Sequence, residues 1–185
     1  MLDSQIVELY WQRDEEAISQ TDMKYGRLCR GISNNILRDL SDSEECVNDT
    51  YLRAWNSMPT ERPERLPAFL GKIVRNLSIS RLRHRTADKR GGGEYALCLE
   101  ELRDCAGGAQ EPEKELELTE LTEHIDKFLA GLKEQERDIF VSRYWYMAPV
   151  DEIAERAGFS YSKTASLLHR TRKKLELYLG REGLI

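Results

Sequence analysis

The chain of 185 residues carries 28 Lys and Arg against 33 Asp and Glu, a formal charge of −5, and is 40% hydrophobic and 33% charged. That length holds one domain or two small ones, and the composition suits amphipathic helices in water better than a membrane or fibrous protein. No apolar run approaches the ~18 residues of a membrane span. The opening MLDSQIVELYW lacks the basic, apolar and small-residue pattern of a signal peptide, so a cytoplasmic protein with no membrane insertion of its own is expected.

In chain order, Ile6, Val7, Tyr10 and Trp11 repeat at helical spacing, as do Val47, Tyr51, Leu52 and Trp55. Pro59, Pro63 and Pro67 interrupt the chain before the clearest stripe, Leu66, Phe69, Leu70, Ile73, Val74 and Leu77, and Pro67 fits the first turn of its helix. Three or more helices sharing an apolar face are expected, with no strand pattern of comparable strength. Residues 72–90 hold seven basic side chains and only Asp88, among them Lys72, Arg75, Arg81, Arg83 and Arg85. Asn76 stands within this run and can both donate to and accept from a base edge. On residue pattern alone, a solvated face and a polyanion-binding face are equally consistent.

The next segment changes character. Residues 1–90 carry 15 basic and 14 acidic side chains and residues 121–185 carry 11 and 10, each a net +1, whereas residues 91–120 carry 2 and 9, a net −7. With Gly91 to Gly93, Gly107, Gly108 and Pro112, residues 91–117 read as an acidic connector. Its Tyr95, Leu97, Leu99 and Leu102 leave two readings open, a bland tether and a docking strip. Cys29, Cys46, Cys98 and Cys105 show no C-x-x-C spacing and no matching histidine, so they read as structural or incidental thiols, with no metal site.

After the connector, Leu118, Leu121, Ile125, Phe128, Leu129 and Leu132 mark one helix, and Ile139, Phe140 and Tyr144 another. From Pro149 to Ser160 a short helix ends at Gly158, where a left-handed turn is needed. Ser160 or Ser162 then caps a longer helix whose buried face carries Thr164, Leu168, Thr171 and Leu175. Short helix, glycine turn and basic helix make a helix-turn-helix. Residues 162–175 hold five basic side chains and no acid. Ser162, Lys163, Ser166, Leu167 and, one turn on, Arg170 occupy the stretch that meets base edges in such motifs. Arg172, Lys173 and Lys174 fall where the phosphate backbone is held. The competing reading is a solvated basic helix in an ordinary bundle.

Two longer motif sets carry a resemblance. The run from Ser41 to Trp55, SDSEECVNDTYLRAW, resembles the region-two helix of extracytoplasmic-function sigma factors, D-A-E-D-x-x-Q-E-T-F-L-R-A-W. The run from Ala68 to Arg83, AFLGKIVRNLSISRLR, is similar to that family's W-L-x-x-I-A-R-N-x-x-x-D-x-x-R. From Leu132 through Glu136-Arg137 and Glu152-Ile153-Ala154 to the SLLHRTRKKL of 166–175, the second half resembles region four. The likeness covers nearly the whole chain outside the connector.

The resemblance implies an all-α fold of two small helical domains: a region-two bundle over 1–90, an acidic linker over 91–117 and a region-four helix-turn-helix over 118–185. It implies a non-enzymatic subunit without cofactor that binds core RNA polymerase, through the beta-prime coiled coil and the beta flap, and promoter DNA. It adds an anti-sigma factor as a candidate partner. Glu45, Asp49 and Arg53 would face polymerase. Lys72, Arg75, Asn76, Ser80, Arg81 and Arg83 would hold the melted minus-ten element. Ser162, Lys163, Ser166, Leu167, Arg170, Arg172 and Lys173 would meet the minus-thirty-five duplex. The linker would run near the active-site cleft. Phe69 replaces a frequent tryptophan and Ser80 a frequent aspartate, and Ala165 and Leu167 stand where lysine and arginine are common, so the promoter sequence is not carried over. The alternative is a stand-alone helix-turn-helix regulator that binds duplex DNA without polymerase. An enzyme has no phosphate loop, nucleophile elbow or metal-ligand cluster to support it.

Overall fold

A computed structural model describes residues 1–58, 60–86, 93–103 and 115–184. Pro59, Asp88, Gly91, Gly92, Cys105, Gly107, Gly108 and Pro112 lie outside the described residues, as does the side chain of Leu118. The described residues form nine helices and no strand: α1 (Asp3–Trp11), α2 (Glu16–Leu37), α3 (Leu40–Ser57), α4 (Leu66–Thr86), α5 (Gly93–Arg103), α6 (Glu115–Gly131), α7 (Glu134–Tyr144), α8 (Val150–Ala157) and α9 (Tyr161–Arg181). They fall into two compact units, Met1–Gly93 and Glu94–Ile185.

In the first unit α2, α3 and α4 pack on one another and α1 lies against α2. The i, i+4 repeat of Leu66, Leu70 and Val74 turns one face of α4 inward, against Ile32, Ile36 and Leu37 of α2 and Val47 and Ala54 of α3 in a common buried core. Two polar pairs sit inside it with their hydrogen bonds made. Tyr10 and Thr21 are bonded at 2.9 Å, and Ser78 donates to Ser33 at 2.9 Å, so neither carries the cost of an unpaired buried hydroxyl. The turn between α2 and α3 is fixed at both ends. Arg38 closes α2 in the left-handed region at φ 53, and the Asp39 carboxylate accepts from the Asp42 amide to cap α3. Two residues of the apolar stripes turn out to face solvent: Trp11 is 41% and Leu52 58% exposed.

In the second unit α7, α8 and α9 pack together and α6 lies against α9. Gly158 ends α8 at φ 68, a conformation that only glycine adopts cheaply. Of the two candidate caps it is Ser160 that serves, accepting from the Lys163 amide at 3.2 Å. Thr164, Leu168, Thr171 and Leu175 are buried, joined by Leu167 and Leu179. The two buried threonines bond back to carbonyls four residues earlier, those of Ser160 and Leu167, which lets a polar residue sit on an apolar face. Phe128 of α6 meets Phe140 edge-on and Tyr178 in a tilted contact, at ring-centre distances of 6.3 and 5.6 Å, as aromatic pairs prefer.

Part of the segment read as connector is α5, and α5 belongs to the second unit. Of the four apolar residues that left a tether and a docking strip both open, Tyr95 and Leu102 are half-buried and Leu97 and Leu99 exposed. Glu94, Cys98 and Glu101, spaced i, i+4, i+7, point inward, while Leu97 and Leu99 are 50% and 40% exposed. They meet Arg143 of α7, which is 2% exposed. Its guanidinium donates to Glu94, to Glu101 at 2.9 Å and to the Ala148 carbonyl at 3.1 Å. The Cys98 thiol, 0% exposed, donates to the Arg143 carbonyl at 3.3 Å. Tyr144 donates to Glu101 at 2.7 Å and Arg172 of α9 donates to Tyr144 at 2.6 Å and Glu101 at 3.1 Å. Burial alone would raise the Glu101 pKa, but hydrogen bonds from Arg143 and Tyr144 and the charges of Arg143 and Arg172 outweigh it and lower the pKa. Burial likewise opposes the charge on Arg143, and the two carboxylates overcome it and raise the pKa.

Candidate nucleic-acid interface

On α9 the residues that face solvent form one continuous strip. Ser162, Lys163, Ser166, Arg170 and Lys173 are all exposed and recur at the spacing of a single helix face. His169 lies on the same strip. It is absent from the sequence-based site, although its place seven residues beyond Ser162 was available as a signal. The strip begins at the capped N-terminus, where unpaired amides and the helix dipole favour an anion. Lys163 lies over the Phe159 ring, its ammonium 3.2 Å from the ring centre, which positions the charge at that end of the helix. Lys173 pairs with Glu176 at 2.7 Å.

Two expected contacts do not point where the sequence places them. Leu167 is 8% exposed and belongs to the inner face of α9, so it cannot reach a base edge. Its helical phase, one position past Ser166, carries it round toward α7 and α8. Arg172 is half-buried and turned toward α5 and Tyr144 by the bonds described above. It ties α9 to the body of the unit and lies away from the exposed strip.

The same division appears on α4. Lys72, Asn76, Ser80 and Arg83 are exposed and share one face at i, i+4, i+8 and i+11. Arg75 is half-buried beside them. Arg81 is turned the other way, pairing with Asp42 at 3.1 Å and with Glu45, both on α3. Arg85 joins the same cluster, donating to Asp42 at 2.9 Å and to the Leu37 carbonyl at 3.0 Å. The hydrogen bond to Glu45 is the main reason that the Arg81 pKa is raised. Arg81 therefore laces α4 to α3 and is separated from the Asn76 row.

On α3, Glu45, Asp49 and Arg53 are exposed at i, i+4 and i+8. Exposed Leu52 lies on the same face, so this surface has an apolar centre among opposite charges. Sequence periodicity assigned Leu52 to the core because it continues the Val47 and Tyr51 stripe, but its helical phase puts it at the edge of that stripe. In the second unit a groove of about 480 Å³ has Phe128, Leu132, Leu177 and Tyr178 among its lining and Lys127 and Lys133 at its side. No group of three or more metal-ligating side chains occurs among the described residues, and no helix of the described residues is long and apolar enough to cross a membrane.

Family models match both halves of the chain. The model for Sigma-70 region 2 matches residues 23–87, from within α2 through α3 and α4. The model for Sigma-70, region 4 matches residues 122–175, from within α6 to within α9. No curated protein matches the chain.

Proposed function

The chain belongs to the extracytoplasmic-function type of the sigma-70 family, sigma factors that act in transcription initiation, and from that membership we propose how its two units divide the work. The first unit docks on core RNA polymerase through Glu45, Asp49 and Arg53 around Leu52, against the beta-prime coiled coil. Its α4 row, Lys72, Asn76, Ser80 and Arg83 with Arg75 beside them, holds the melted non-template strand of the minus-ten element. The second unit reads the minus-thirty-five duplex through Ser162, Lys163, Ser166 and Arg170, with Lys173 toward the phosphates.

The observation that supports this reading best is the α9 strip. A capped, basic, solvent-facing helix follows a glycine turn, and the side chains nearest its N-terminus are the ones that enter a major groove in a helix-turn-helix. Lys163 and Arg170 can pair with guanine O6 and N7 or with phosphate. On α4, an amide and a hydroxyl stand between flanking cations, which suits a strand whose bases are unstacked and whose edges are open to hydrogen bonding. Melting needs no bond chemistry. Capture of unpaired bases offsets an unstacking and unpairing cost of a few kcal/mol.

The groove lined by Phe128, Leu132, Leu177 and Tyr178 supplies an apolar seat for the beta flap. An anti-sigma factor would act by covering the α3 surface or this groove.

The test is run-off transcription with purified chain and core polymerase on templates selected by start-site mapping. A sigma factor yields a discrete transcript that core enzyme alone does not make. Specific duplex binding without polymerase association or transcript would instead identify a stand-alone regulator.

A further inference from the structure

Helix α5 is amphipathic in the inverse sense. Its carboxylates Glu94 and Glu101 point into the second unit and two of its leucines point out, Leu97 at 50% and Leu99 at 40% exposure. The small Cys98 side chain is its one described residue that is fully buried. Attachment therefore includes ion pairs to Arg143 and Arg172, with Tyr95 and Leu102 only half-buried beside Cys98, so less apolar surface leaves water than for a helix with an apolar inner face. An 11-residue helix is marginal in isolation, so α5 keeps its helical form through this contact. Elements held by few apolar contacts open at the low end of a protein's stability range.

Docking also sets how much chain separates the two units. With α5 held, six residues (87–92) join it to the end of α4, and with α5 released 28 residues (87–114) run from α4 to α6. Fully extended, these stretches span roughly 20 Å and roughly 95 Å. Elements named for positions minus ten and minus thirty-five lie about 25 base pairs apart, roughly 85 Å of duplex. A tether of roughly 20 Å leaves no slack across that distance, even with two units about 30 Å across placed end to end.

We propose that α5 is a releasable clasp: Glu94 and Glu101 close it on Arg143 and Arg172 in the free protein, and it opens so that both promoter elements can be held at once. The clasp rests on the division of labour proposed above. Opening lengthens the tether, returns two acidic side chains to solvent or to the basic walls of the polymerase channel, and leaves α6 to α9 intact as the duplex reader. Closing shortens the reach of the second unit without covering its reading strip, because α5 lies on the Arg172 side of α9 and the strip faces away.

The test is amide hydrogen exchange by mass spectrometry on the full chain, free and in the promoter-bound polymerase complex, with run-off transcription in parallel. In the free chain α5 is protected. In the complex its exchange rises by roughly tenfold or more while the buried turns of α9 keep their protection. The double variant Glu94→Gln, Glu101→Gln reproduces the fast exchange of α5 in the free chain and leaves α9 unchanged. The clasp is overturned by equal protection of α5 in the free and promoter-bound states, by an α5 that exchanges freely in the free chain, or by a double variant that matches the parent. A chain that gives no transcript overturns the sigma-factor reading itself. The free-chain comparison of parent and double variant still reports whether the two carboxylates hold α5.

Discussion

Helices α4 and α9 have the same length, 21 residues, and both are rich in cations, yet each divides its cations between two tasks. On α4 Arg81 and Arg85 turn inward to Asp42 and Glu45 of α3, leaving Lys72, Asn76, Ser80 and Arg83 outside. On α9 Arg172 turns inward to Glu101 of α5, leaving Ser162, Lys163, Ser166 and Arg170 outside. The density of basic residues along a helix thus overstates its reading surface, because the cations nearest the body are neutralised by a neighbouring acidic helix. The helices differ in where the outer row begins. That of α9 starts at a capped N-terminus behind a glycine turn, which on the proposed reading would fix its entry into a groove. That of α4 runs along the helix with an amide and a hydroxyl between its cations, which suits a strand laid lengthwise.

The sharpest way to break this comparison is to exchange an inner residue for one taken to be outer. Leu167→Ala is expected to lower the stability of the second unit by about 2 to 3 kcal/mol, because it removes a buried side chain and leaves a cavity. It should leave base preference unchanged wherever the unit remains folded. Denaturant unfolding followed by Trp145 fluorescence in a chain whose Trp11 and Trp55, both in the first unit, are replaced by Phe, paired with binding to a panel of duplexes at low temperature, separates the two effects. A variant of parental stability with altered sequence preference would return Leu167 to the reading face.

Next in size are the two outer rows, which should respond to different substrates. Arg170→Ala is expected to weaken binding to minus-thirty-five duplex by about 1 to 3 kcal/mol if it contacts a base, with opening at the start site following from the lost affinity alone. Asn76→Ala is expected to leave duplex affinity and polymerase association as they are and to slow strand opening, as read by permanganate reactivity of unpaired thymines. If both variants gave the same pattern, the assignment of one row to duplex and the other to open strand would fail.

How much of this was legible in the sequence follows from which physical signal each feature leaves. The helix-turn-helix was readable because Gly158 and Ser160 are local requirements. A positive φ and an N-terminal cap each select a few residue types, and the spacing between them is short. The Thr164, Leu168, Thr171 and Leu175 face was readable from periodicity, and so was the α4 core. Leu52 was misplaced because periodicity resolves a face and not its edge, and Leu167 because its position in the helix-turn-helix motif was taken without its helical phase, which turns it inward. The inward turn of Arg81 and Arg172 was not legible, since it depends on acids 36 and 71 residues away in sequence, Glu45 and Glu101. Nor was the packing of α5. An acidic, glycine-flanked stretch looks solvated, and only the fold shows that its carboxylates answer the buried Arg143.

The smallest expected effect tests the inner cations themselves. Arg81→Met keeps much of the aliphatic stem and removes the bonds to Asp42 and Glu45. Glu45 is 62% exposed, and ion pairs at such positions contribute about 0 to 1 kcal/mol once hydration and side-chain ordering are counted. The variant should therefore fold, with a loss of stability under about 1 kcal/mol and a weaker salt dependence of that stability. Because Arg81 stands apart from the outer row, affinity for single-stranded minus-ten oligonucleotide should stay within about twofold of the parent and its salt slope should not change. A fall in that slope by about one counterion would mean that Arg81 leaves α3 to meet a phosphate when DNA arrives, and the inner and outer rows of α4 would then be two states of one surface.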